Sequence, residues 1–83
     1  MHVIAVHSIS DPDKFFDTAQ STPIPDEITL HSLLPSSDGS KAVCVWEADS
    51  QEAVQRFVDD NIGDVSTNEF FEVDAGSAQG LPS

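Results

Sequence analysis

Positive charge is what this chain has least of: two lysines and one arginine stand against fifteen carboxylates, a formal net charge of -12 over 83 residues. A surface of that sign repels nucleic acid and anionic lipid, so neither is an expected partner. Cysteine is nearly absent too. With Cys44 alone no internal disulfide can form, and stability does not rest on an oxidising compartment. No segment approaches the ~20 apolar residues of a membrane helix, and residues 1 to 9 lack a basic leader, so the expected location is cytoplasmic. The acid excess itself fits a hydrated surface, steering of a cationic partner, or adaptation to a salt-rich cytoplasm where repulsion is screened.

A chain this short forms one domain and buries only about 60 to 65% of its unfolded surface, which favours added support from a partner. HVIAVHSI, residues 2 to 9, reads as a first strand. Ser10 or Asp11 caps the following helix, Pro12 suits its first turn, and Phe15, Phe16 and Ala19 give it an apolar side. EITLHSLL, residues 27 to 34, is a second strand, and PSSDGS, residues 35 to 40, turns the chain into a third, KAVCVWEA, residues 41 to 48. Asp49 or Ser50 caps a second helix whose Ala53, Val54, Phe57, Val58 and Ile62 recur at helical spacing, with Gly63 expected to end it in a left-handed conformation. NEFFEVD, residues 68 to 74, is the last strand. The domain is thus 1 to 74, with an irregular tail over 75 to 83.

Strand, helix, strand, strand, helix, strand is the ferredoxin-like α+β plan, a four-stranded antiparallel sheet with both helices on one face. Alternation then divides the strand residues. An all-apolar set of Ile4, Val6, Ile28, Leu30, Val43, Val45, Phe71 and Val73 is expected under the helices. The opposite face would carry Ala5, His7, Ile9, Thr29, His31, Leu33, Cys44, Trp46, Phe70 and Glu72, too apolar for water. A second copy is the economical cover, and the expected assembly is a homodimer closing a dimeric α/β barrel through its helix-free sheet faces.

The run VCVWEADSQEAV, a helix ending at Gly63, and NEFFEVD together resemble a family of small ferredoxin-like proteins of unknown function that includes a nickel-binding member. The likeness covers roughly residues 41 to 74; the first half matches in plan only. Relatives of that kind commonly end the second helix with two histidines four apart before a glycine, and here Val58 and Ile62 stand at those positions. The plan is also similar to the dimeric α/β-barrel superfamily, which includes cofactor-free monooxygenases and haem-degrading proteins. Architecture alone does not choose among them.

The expected lining of the barrel interior, and the candidate ligand site, is His7, His31, Cys44, Trp46 and Glu72. His7 and His31 read as half-buried imidazoles satisfied by hydrogen bonds or, with Glu72 or Cys44, as ligands for zinc, nickel or copper. Trp46 reads as an interface anchor or a substrate platform, and Cys44 as an inert thiol unless a cation lowers its pKa. Glu72 calls for a partner, for which His7 is the candidate. His2 is expected on the helix side. No serine triad, phosphate loop or paired-carboxylate signature appears, and no motif names a cofactor or a catalytic residue. The expectation is a small-ligand-binding or structural protein, with a monooxygenase-type enzyme or a transition-metal-binding protein as alternatives.

Overall fold

A computed structural model describes residues 1–81, in the order β1 (His2–Ile9), α1 (Pro12–Ser21), β2 (Ile28–Pro35), β3 (Lys41–Ala48), α2 (Gln51–Ile62) and β4 (Ser66–Glu72). The strands pair antiparallel in the order β2-β3-β1-β4, so this is the ferredoxin-like α+β fold. Residues 75 to 81 hold only turns and bends, and positions 82 and 83 of the expected tail lie outside the described residues. Among the described residues, no helix is long and apolar enough to cross a membrane.

Local chemistry sets the element ends. Asp11, in an extended conformation, accepts from Lys14 N at 3.2 Å, and Pro12 occupies the first helical turn where its missing N–H is no loss. Ser50 does the same for α2, accepting from Ala53 N at 3.2 Å. Gly63 does not adopt the expected left-handed conformation. Its φ is -63°, and a Cβ there would meet the Asp59 carbonyl oxygen at 2.4 Å, so close approach rather than a positive φ selects glycine. In the β2–β3 turn, Asp38 Oδ1 accepts from Ser40 N at 3.0 Å and from the Ser40 and Ser36 hydroxyls at 2.7 and 2.8 Å. Those bonds, the Ser40 amide foremost, pull the Asp38 carboxyl down to about 2.

The expected face assignment is reversed for three strands. Val3, Ala5 and His7 of β1, Ala42, Cys44, Trp46 and Ala48 of β3, and Ser66 of β4 are buried under the helices, with Phe70 packed against the same core. Ile4, Val6, Val43, Val45 and Phe71 lie on the helix-free side. Volume is the reason. The helices bring Phe15, Phe57, Val54, Val58 and Ile62 to the sheet, which receives them on small residues and one flat indole. In β2 the register slips between Leu30 and Ser32, so Leu33 joins Leu30 on the helix side while His31 stays on the open side with Thr29.

This phase predicts that Ala5→Leu, inserting three carbons where nothing is exposed, destabilises by about 1 to 3 kcal/mol in urea unfolding. An Ala5→Leu protein as stable as the parent would restore the opposite assignment.

Candidate functional site

Three of the five expected site residues meet, though under the helices and not on the open face. His7 at the middle of β1 points beneath α1, its ring 5.3 Å from that of Phe15. The β1–β4 register sets Asn68 opposite it, and the β1–β3 register brings Cys44 alongside. Asn68 Oδ1 accepts from His7 Nδ1, so Nε2 offers its lone pair to the Cys44 thiol, whose Sγ lies 3.2 Å away. Ser66 Oγ also lies 2.8 Å from that Asn68 oxygen and fixes it further.

Burial decides the charge state of this relay. His7 is held below its ordinary value of 6.5 by desolvation, opposed by the Asn68 bond. Desolvation pushes the Cys44 thiol up to about 12. Both groups are therefore neutral, and the pair is a thiol donating to an imidazole, with no thiolate to act as a nucleophile.

Next to the relay is a cavity of about 50 Å³, lined almost wholly by carbon and including His7, Cys44, Trp46, Leu33, Phe57 and Asn61. Asn61, which also lines it, donates from Nδ2 to Phe57 O at 2.7 Å. Trp46 meets Phe57 edge-on at 5.8 Å, and its Nε1–H has no hydrogen-bond partner among the described residues.

His31 and Glu72 do not join this group. His31 projects from the opposite face of the sheet, where its Nε2 and Glu47 Oε1 are 2.8 Å apart, so the expected pairing of His7 with His31 around a metal is not formed. Glu72 is exposed and sits opposite Val3 in the ladder, whereas His7 pairs with Asn68, so the expected His7–Glu72 partnership is not formed either. His2 likewise lies on the open side, with Nε2 3.8 Å from Glu47 Oε1. The His31 hydrogen bond, opposed by some desolvation and aided by the neighbouring His2, His31 and amino terminus, keeps the Glu47 carboxyl below its usual range. Neither Asn68 nor Glu47 is among the residues expected at the site. Asn68 shares parity with Phe70 and could have been placed beside His7; Glu47 follows from its place opposite His2 once the β1–β3 register is known.

No family model matches the chain, and neither the curated proteins nor the solved structures hold a match.

Two measurements check the relay. Iodoacetamide at pH 8 is expected to alkylate Cys44 at least about a hundredfold more slowly in the folded chain than in urea, because a thiol near 12 is ionised to only about one part in ten thousand. The His7 ring should stay neutral below pH 6.5 by NMR. The unfolded chain takes up that proton first, so the stability this residue provides is full above 6.5 and declines as pH falls below it. A His7 resonance titrating at or above 6.5 would contradict the burial argument.

Proposed function

We propose that the chain works as a homodimeric α/β barrel, a binding or structural module and not an enzyme, whose helix-free sheet faces meet in a shared interior. One observation carries this reading: the open face is apolar at its centre and polar at its ends. Across β2, β3, β1 and β4, one row holds Ser32, Val45, Ile4 and Phe71, and the next holds Leu34, Val43, Val6 and Glu69. Phe71 is 51% exposed and Leu34 59%. Beyond them lie Thr29, Glu47 and His2 at one end and Lys41, Ser8 and Thr67 at the other. An apolar core inside a polar rim is the anatomy of an interface.

Its size also fits. Four strands about 4.8 Å apart, with some eight residues each at about 3.3 Å, present about 500 Å² in projection. That is the order of the roughly 800 Å² of accessible surface per partner in a stable complex. A second copy offers the same patch, and an isologous pairing closes without leaving an edge for further growth. The resemblance of residues 41–74 to small ferredoxin-like proteins, and of the plan to dimeric α/β barrels, supports the same reading; the matched segment corresponds to β3, α2 and β4.

The cavity under the helices bears on the ligand. At about 50 Å³ it is about a third of the ~150 Å³ that accommodates benzene in an engineered core, so it suits a ligand of a few heavy atoms. An aromatic substrate does not fit, and the neutral His7–Cys44 pair offers no nucleophile. Both weigh against a monooxygenase-type enzyme.

Sedimentation at micromolar concentration and high ionic strength is expected to give the mass of two 8.9 kDa chains. Val43→Glu, at the centre of the patch, should weaken association at least about a hundredfold, because an unpaired buried carboxylate is penalised by several kcal/mol. A folded monomer for the parent chain under those conditions would refute the dimer.

A further inference from the structure

We propose that His2, His31 and Glu47 form a site for one divalent first-row transition ion of the zinc, nickel or copper class. Their ligand atoms, one from each side chain, all lie within 4.8 Å of one another. Glu47 Oε1 is 2.8 Å from His31 Nε2 and 3.8 Å from His2 Nε2. Bonds of about 2.0 to 2.1 Å to a tetrahedral or octahedral ion set neighbouring donor atoms about 3.0 to 3.4 Å apart, so an ion entering here draws together ligand atoms that already lie within 4.8 Å of one another.

The ladder builds this arrangement from three strands. His2 on β1 stands directly opposite Glu47 on β3, a cross-strand pair on one face. His31 comes from β2 at the register shift, where the extra residue turns its imidazole toward the same carboxylate. The two imidazoles stand with ring centroids 5.6 Å apart. Ligands on paired strands are held more firmly than ligands on loops.

A second observation points to a missing partner. His2 Nε2 is shielded from solvent yet makes no hydrogen bond among the described residues. A buried ring nitrogen in that state loses the free energy of its unmade interaction, and a metal ion beside Glu47 supplies it. Two imidazole nitrogens and one carboxylate oxygen form a borderline donor set, suited to zinc, nickel and copper and poorly to calcium or magnesium, which take oxygen ligands. Three protein ligands leave the coordination sphere open on the side away from the sheet, for water or a small anion. The field of a chain with net charge -12 draws cations in; Lys41, the only basic side chain in β3, sits at the far end of that strand, and the one positive group near Glu47 besides the imidazoles is the amino terminus, which donates to Ala48 O.

All three ligands belong to one chain, so the site stands whether or not the chain dimerises. The test uses the untagged full chain, stripped with chelator and titrated with zinc or nickel by calorimetry, both as the parent and in the Val43→Glu background. One ion per chain is expected in each. His2→Gln, His31→Gln and Glu47→Gln should each weaken binding at least about tenfold, whereas Asp17→Asn, an exposed carboxylate on α1 away from the open face, should leave it unchanged. If a ligand variant fails to fold, NMR of the parent decides instead: zinc should move the His2 and His31 ring resonances and spare His7. Equal affinity in parent and ligand variants, no saturable binding up to millimolar ion, or zinc shifts confined to other carboxylates would each overturn the site and leave His31–Glu47 as a surface ion pair only.

Discussion

Two short helices close one side of a four-stranded sheet, and the side chains they carry decide which side. Phe15 and Phe16 stand edge to face at 4.9 Å, and Phe57 meets Trp46 at 5.8 Å, so the helix layer arrives already thick. A sheet face of Val and Ile beneath it would put branched side chains at the positions where Ala5, Ala42 and Ala48 now meet the helices. Ala5, Ala42 and Ala48 make the room, and Cys44 and Trp46 fill it between them. Choosing that face forces the other consequences. It brings an imidazole into the core and leaves Ile4, Val6, Val43, Val45 and Phe71 on the uncovered side.

The imidazole taken into the core is tolerated because its two nitrogens are both answered. Asn68 accepts from one and Cys44 donates to the other, which is how a buried polar group escapes its desolvation penalty. Thiol, imidazole and side-chain amide in that order also describe a nucleophile, its base and the group that orients the base. What separates this trio from a catalytic one is its electrostatics. Catalytic thiols are ionised by a neighbouring cation or a helix N-terminus. Here the thiol lies in mid-strand under carbon, Lys14, Lys41 and Arg56 are all exposed, and burial acts against both charged forms. Geometry supplies the order of the groups, and desolvation withholds the chemistry.

The order and type of all six elements were legible in the residues, because alternation, helical spacing and the caps at Asp11 and Ser50 are local signals. The phase of the sheet was not. Both sets of alternate residues are apolar enough for a core, and only the bulk of Phe15 and Phe57 on separate elements distinguishes them. The slip between Leu30 and Ser32 carries no glycine or proline to announce it, so His31 and Leu33 could not be told apart by parity. The placement of the candidate residues follows from that phase: His7, Cys44 and Trp46 share a face, but it is the covered one, and His2 meets Glu47 through a cross-strand register that alternation alone does not give.

Charge completes the contrast between the two faces. Of the fifteen carboxylates, only Glu47 and Glu69 stand on the open side; the others lie on helices, turns, loops, the tail and the helix-side row of β4. In the proposed dimer, repulsion between two copies would therefore act mostly around their rims and outer surfaces, at distances that salt screens within about 10 Å at 0.1 M and about 3 Å at 1 M. The apolar contact proposed at the centre would be hardly weakened by salt. Glu47 lies in the end row of that face, so a divalent ion held there by His2 and His31 would turn that negative site into a net positive one and bring the chain's formal charge from -12 to about -10, and in the proposed dimer cation binding and association would favour each other by linkage. On these two proposals, a chain with so little positive charge of its own would have two ways to bring like surfaces together, the ionic strength around it and an ion bound at the margin of the sheet.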